Sequence, residues 1–256
     1  MWVFTSSIGR SGTRYLSEAV GNLSDIASFH LAEPYCNGEA FVRINEGEQV
    51  AELDEKLHQI KRDAAETGHY FESNPMFVRG FGETVLKSGN DFGVIQLLRD
   101  PMEVAKSYRN RDSYPGHPGR PWRLPLNTAK SLLRVEAGLT PYQENLVDWL
   151  ENELRLHAFR DDSFPVTPLY FSELGNSEKI AAILSGFGVP VKEAARDSSE
   201  LDRNENVIAT DVEEQDWEEA STLLQILRGA AFSRDLFLDP VYDPFPFIGR
   251  LREEVV

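Results

Sequence analysis

Two short stretches carry residue types suited to holding phosphate. The first is Gly9-Arg10-Ser11-Gly12-Thr13, followed by Arg14. Glycines let backbone N–H groups turn toward an anion, hydroxyls add donors, and arginine adds charge. The second is Arg99-Asp100-Pro101, with Ser107 eight residues after the arginine. A third group, His30-Leu-Ala-Glu33-Pro34, offers an imidazole and a carboxylate as candidate proton acceptors. Asn74 and Phe77 stand in a further polar and aromatic segment.

The first stretch is not a Walker A loop. That motif places a Lys-Ser/Thr pair after its last glycine, the lysine reaching the β- and γ-phosphates. Here Gly12 is followed by Thr13 and Arg14, and the nearest preceding cation is Arg10. An ordinary strand–turn–helix would also accommodate such a Gly-Ser-Thr turn.

The elements around these residues explain why they would be positioned. Trp2, Val3 and Phe4 are bulky and β-prone, so a buried strand leads into the glycine loop. Tyr15, Leu16, Ala19, Val20 and Leu23 recur at helical spacing behind it. Ile26 to Leu31 reads as a second strand with His30 and Glu33 at its end, and Tyr70 and Phe71 suggest a third. Val94 to Leu98 is a mostly apolar run, as expected of a strand buried on both faces. Arg99 ends it, Asp100 can cap the following helix, and Pro101 suits its first turn. In an open α/β sheet, ligands bind beyond the carboxyl ends of the strands, where all these candidates fall.

The two phosphate-type segments, in this order and about ninety residues apart, resemble those of the PAPS-dependent sulfotransferases (PAPS is 3′-phosphoadenosine 5′-phosphosulfate). In that family a Pro-Lys/Arg-Ser-Gly-Thr loop binds the 5′-phosphosulfate. An Arg-Asp-Pro segment with a later serine binds the 3′-phosphate. The resemblance implies cofactor binding by Gly9, Arg10, Ser11, Gly12, Thr13, Arg14, Arg99 and Ser107, with Arg10 stabilising the leaving phosphate. It implies Glu33, or His30 as second choice, as the base that takes the acceptor's proton, and acceptor contacts from Asn74 and Phe77. The family often closes the cofactor site with a late basic residue, which order alone assigns to Arg203. The product would be 3′,5′-ADP, and no metal is required. Gly9 stands where proline is usual, which loosens the loop but removes no ligand. The direct match covers roughly a tenth of the chain.

The rest of the chain is compatible with an α/β, three-layer, P-loop-like fold: a central, mostly parallel sheet flanked by helices. One sulfotransferase-like domain spanning 1–256 is expected at this length. Glu46 to Glu66 reads as an amphipathic helix with Val50, Leu53, Leu57, Ile60 and Ala64 in one stripe. Residues 111–127 hold four prolines and three arginines (Arg111, Arg120, Arg123) and read as a long loop, a candidate lid that meets an anionic group. Pro141 to Phe159 reads as a long helix, and Val166 to Phe171 as a strand. Asn176 caps a helix over Ser177 to Ser185, and Thr210 to Glu213 reads as a capping box opening a helix to about Leu227. The proline-bearing tail from Phe237 is expected on the surface.

Composition narrows the function classes. Net charge is −16, which argues against a nucleic-acid partner and makes arginines beside phosphate loops stand out. A single cysteine, Cys36, excludes an internal disulfide and a cysteine zinc cluster. There is no 18-residue apolar run, hence no membrane span, and a strand starting almost at Met1 leaves no room for a signal peptide. The expectation is a cytoplasmic protein, or an excised domain, acting on a small-molecule, carbohydrate or lipid-like acceptor. A P-loop-type small-molecule kinase shares the strand–loop–helix start but would want the missing lysine. A nucleotide-binding module without catalysis also remains open, as does the oligomeric state.

Overall fold

A computed structural model describes residues 1–135, 138–160, 164–192 and 211–255. In chain order, β1 (Trp2–Ser6), α1 (Thr13–Leu23) and β2 (Ala27–His30) come first. They are followed by α2 (Gly38–Asn45), α3 (Ala51–Asp63), β3 (Tyr70–Ser73), α4 (Gly82–Lys87), β4 (Phe92–Leu98) and α5 (Pro101–Arg109). The rest comprises α6 (Pro141–Phe159), β5 (Val166–Tyr170), α7 (Ser177–Gly186), α8 (Glu214–Arg228) and α9 (Pro246–Glu254). The chain divides into two compact units. One is built from Met1–Cys36, Gln49–Leu98 and the described residues from Phe159 to Lys192. The other is built from Asn37–Glu48, Arg99–Ala158 and the described residues from Asp211 on.

The first unit is a five-stranded sheet in the order β2-β3-β1-β4-β5. Every pairing is parallel, with Val3 opposite Phe71 and Gly93, and Leu97 opposite Leu169. Strand side chains alternate faces. On one face Val3, Phe71, Ile95, Leu97 and Leu169 pack against Leu16, Val20 and Leu23 of α1 and Ile180, Ile183 and Leu184 of α7. On the other, Phe4 stacks on Phe77 (centroids 4.4 Å apart) and meets Tyr70, Phe81 and Phe92 edge-on or tilted. Both faces are therefore covered, which is why β1 and β4 are apolar almost throughout. The sheet has the expected α/β, parallel architecture.

This strand order places β2 and β3 on one side of β1 and β4 on the other, so a topological switch lies at β1. The segments after β1, β2 and β3 leave the same carboxyl edge of the sheet, and they carry Gly9–Thr13, His30–Glu33 and Asn74–Phe77.

The second unit is helical. Trp149 of α6 meets Tyr242 and Phe245 edge-on, and the Tyr242 hydroxyl donates to Glu153 at 3.0 Å. Phe237, Phe247, Ile248 and Leu251 are fully buried. The tail from Phe237 is thus core and not a surface strap, because its aromatics face inward and α9 closes over them.

Two further expectations shift. The helix read over Glu46–Glu66 begins only at Ala51, because Gly47 at φ +90° ends α2 through Gly47 N–H to Ile44 and Glu48 N–H to Arg43 carbonyls. The capping box of α8 is Glu213 with Asp216, whose carboxylate accepts from Glu213 N–H at 2.8 Å; Thr210 lies outside the described residues. Residues 111–127 contain no helix or strand, as expected.

Candidate functional site

The loop from Ser7 to Gly12 takes a backbone path few residues allow. Gly9, Arg10 and Gly12 have φ of +92°, +56° and +85°. Ser7 Oγ accepts from Gly9 N–H at 3.2 Å, and Ser11 Oγ donates to the Gly9 carbonyl at 3.1 Å, so the two serines brace the turn. Gly12 is the N-cap of α1. No side chain caps the helix there, and its first turn holds no acidic residue. The first N–H groups of a helix lack intrahelical acceptors and carry the positive end of its dipole. Neither the N-cap nor the first turn of α1 thus supplies a side-chain anion at this end. A Cβ on Gly12 would meet Leu174 Cδ1, with a Phe171 ring carbon at 3.3 Å, so φ favours glycine and any side chain there must also displace the end of Leu174. Ser11 and Thr13 are buried and Arg10 is half-buried. Arg14 lies on the exposed side of α1, 3.1 Å from Glu18.

His30 and Glu33 sit beyond the neighbouring strands. His30 Nδ1 is 3.1 Å from the Ser73 carbonyl. A carbonyl only accepts, so Nδ1 carries the proton and Nε2 is left bare. Burial holds the His30 pKa below the ordinary histidine value, against the opposing pull of the Ser73 bond. At neutral pH the ring is uncharged and can take a proton at Nε2. Glu33 is exposed, and its carboxylate accepts from the Tyr35 hydroxyl, whose pKa that bond pushes upward.

Asn74 and Phe77 have structural partners. Asn74 Nδ2 donates to Glu72 Oε1 at 2.8 Å, and its Oδ1 accepts from Met76 N–H at 2.9 Å. Phe77 is fully buried in the aromatic cluster around Phe4. Glu72 is itself a strand residue, fully buried, with its carboxylate 2.8 Å from Lys56 Nζ. This pair had no place among the sequence candidates. A signal existed: Lys56 is three residues after Leu53 and four before Ile60, on the apolar stripe of α3.

In the second unit, Asp100 caps α5, its carboxylate accepting from Met102 N–H at 2.8 Å and Glu103 N–H at 3.4 Å. Burial pushes the Asp100 pKa up, against those two bonds. Arg99 is buried, and its Nε donates to Glu103 at 2.9 Å. Ser107, also buried, lies one turn beyond Glu103. Lys106 and Arg109 are bound up elsewhere: buried Asp216 is 3.2 Å from Lys106 and 2.7 Å from Arg109, with Glu213 and Glu219 adding further contacts. The arginines of 111–127 divide. Arg123 is buried over the Tyr108 ring (3.8 Å) and pairs with Asp148 at 2.9 Å, so it pins the loop inside its unit and is not offered to an anionic acceptor. Arg120 stacks on Trp122, and Arg111 is exposed. Arg203 lies outside the described residues.

Among the described residues, no group of three or more His, Cys, Asp or Glu is arranged to hold a metal ion, and no helix is long and apolar enough to cross a membrane. Cys36 is buried, and burial pushes its thiol up to about 12.

No protein-family profile matches the chain, and no curated protein matches it. Two solved structures are similar in fold. One is the sulfotransferase domain of the olefin synthase of Synechococcus PCC 7002, with a TM-score of 0.46 and 14% identity, over 75% of this chain and 74% of that one. The second is a sulfotransferase domain from the curacin biosynthetic pathway, with a TM-score of 0.42 and 14% identity, over 86% of this chain and 96% of that one.

Proposed function

We propose that the chain is a PAPS-dependent sulfotransferase of the cytoplasm, moving a sulfuryl group to a hydroxyl or amine of a small-molecule, carbohydrate or lipid-like acceptor. The observation that carries this reading is the loop before α1. It combines three left-handed residues, a helix N-terminus without a side-chain cap or first-turn acid, and a cation, Arg10, before its last glycine, with Thr13 where a kinase would have lysine. Such a cradle suits a phosphate or phosphosulfate group through backbone N–H donors. Arg99 and Ser107, buried at the start and along the face of α5, suit the 3′-phosphate that distinguishes PAPS from ATP.

The bound PAPS supplies an activated sulfuryl group whose S–O bond to the 5′-phosphate breaks as the acceptor's bond to sulfur forms. Residues of the chain do the rest. Arg10 and the loop N–H groups stabilise negative charge on the leaving phosphate. His30 Nε2 or the Glu33 carboxylate takes the acceptor's proton. The His30–Ser73 bond supports His30, because it presents an unprotonated nitrogen. The exposure of Glu33 supports a carboxylate that an acceptor can reach.

The test is release of 3′,5′-ADP from PAPS with a panel of phenols, amines, sugars and a fatty alcohol. Turnover is expected with at least one acceptor class. The paired change His30→Asn with Glu33→Gln is expected to lower kcat by about 10²–10⁴-fold and to leave 3′,5′-ADP affinity within about twofold. Full turnover in that variant would remove both residues from the mechanism.

A further inference from the structure

Glu72 and Lys56 are fully buried, yet neither has a part in the chemistry above. The Tyr70 hydroxyl and Asn74 Nδ2 join Lys56 in donating to the Glu72 carboxylate, at 2.7 and 2.8 Å. Buried ion pairs contribute little net stability, because desolvation offsets the attraction. What distinguishes this one is what else it holds. Ala32 N–H donates to Glu72 Oε1 at 3.1 Å, and Lys56 Nζ donates to the Ala32 carbonyl at 2.7 Å. One ion pair grips both backbone polar groups of a single residue, and that residue lies between His30 and Glu33.

Its neighbour Leu31 has φ +60°. Side-chain-bearing residues rarely adopt this conformation, and it persists only where the surroundings over-determine it. The grip on Ala32 does so from one side. Leu31 N–H, donating to the Ser73 carbonyl at 3.2 Å, does so from the other. The same carbonyl orients the His30 ring.

We propose that the Lys56–Glu72 pair is a positioning device for the proton-accepting segment. It locks the left-handed turn at Leu31, and so holds His30 on the Ser73 carbonyl and sets where Glu33 leaves the sheet. Its catalytic value rests on the sulfotransferase reading; the positioning itself does not.

The decisive variant is Lys56→Met with Glu72→Gln, which removes both charges and keeps the volume. Histidine nitrogen spectra across pH read the outcome. The charges that act on His30 are Arg14, Glu72 and Glu18. Loss of the Glu72 charge by itself moves the His30 midpoint down, whereas release of the ring from its buried seat moves it up toward 6.5. The expected result is an upward move with a mixture of tautomers. In turnover of PAPS, kcat falls about tenfold to a hundredfold, and 3′,5′-ADP affinity stays within about twofold. Adding Leu31→Gly recovers part of the single-tautomer population, since glycine adopts φ +60° without the steric cost that leucine carries. An unchanged or lowered midpoint, or no rescue by Leu31→Gly, overturns the proposal. If the paired variant fails to fold, amide exchange in the wild type decides: Ala32 N–H is expected to exchange about a hundredfold more slowly than Glu33 N–H, and equal rates overturn the proposal. Wild-type protein that does not bind 3′,5′-ADP would sink the sulfotransferase reading, while the His30 spectra would still judge the clamp.

Discussion

Two strand–loop–helix junctions of this chain solve the same problem in opposite ways. Before α1 the N-cap is Gly12, which makes no side-chain cap hydrogen bond. Before α5 the N-cap is Asp100, whose carboxylate already accepts from two N–H groups. The first junction can therefore offer backbone donors to an anion, whereas at the second the place of the anion is taken by the protein. On the proposed function, a phosphate at the second junction would be met by side chains, namely Arg99 and Ser107. One site would then depend on a backbone path and the other on two side chains.

The largest effect should come from Gly12→Ala. A left-handed φ on alanine costs about 1–2 kcal/mol. Crowding against Leu174 and Phe171 adds about 1–3 kcal/mol. Urea unfolding should show the loss, and 3′,5′-ADP binding should disappear with it. A variant as stable as the wild type would show that the loop does not need its observed path.

Asp100→Ala comes next, costing about 0.5–2 kcal/mol as a lost cap. Its enthalpy of binding to AMP should stay unchanged, because AMP lacks the 3′-phosphate. An effect on AMP as large as on 3′,5′-ADP would blur the distinction between the junctions. Ser107→Ala should weaken 3′,5′-ADP alone, by about 0.5–1.5 kcal/mol for one lost hydrogen bond.

pH gives a separate handle on the first unit. The folded-state pKa of His30 is lowered, so the unfolded chain takes up the proton first as pH falls. The stability that His30 contributes is complete above its unfolded value of 6.5 and is lost as pH falls below it toward the folded pKa. Unfolding curves of wild type and His30→Asn should therefore diverge at neutral pH and converge in acid. If His30 is the base, kcat should rise with a midpoint below 6.5; a midpoint that His30→Asn leaves in place assigns the role to Glu33.

The smallest effect belongs to Arg14→Ala. Arg14 and Glu18 are both exposed, and such pairs contribute about 0–1 kcal/mol. 3′,5′-ADP affinity should be unchanged within error, and a clear loss would bring Arg14 into the binding site.

Much of this was legible in the residues. The helix over Pro141–Phe159 and the Asp100 and Asn176 caps follow from local rules that act over a few residues. So do the strands that carry the loops. What was illegible depends on partners far along the chain. Lys56 and Glu72 look like solvated charges until α3 packs over β3 and gives each its counterion. The prolines from Pro240 onward suggest a surface tail, yet Trp149, about ninety residues earlier, supplies the wall its aromatics pack on. Arg123 reads as a free cation because Tyr108 and Asp148 meet it only in the folded unit. For the loop before α1 the sequence shows glycines and hydroxyls, but only the folded backbone shows its left-handed path and the N-cap without a side-chain bond.

The most direct test of the central claim is calorimetric titration with 3′,5′-ADP, AMP and Mg-ATP, on wild type and on Arg99→Ala. The account predicts that 3′,5′-ADP binds far more tightly than AMP. It also predicts that Arg99→Ala removes most of the difference, about 1.5–3 kcal/mol for a charge-assisted contact. Tight binding of Mg-ATP, with nothing gained from the 3′-phosphate and no effect of Arg99→Ala, would contradict it and make Arg99 a structural partner of Glu103.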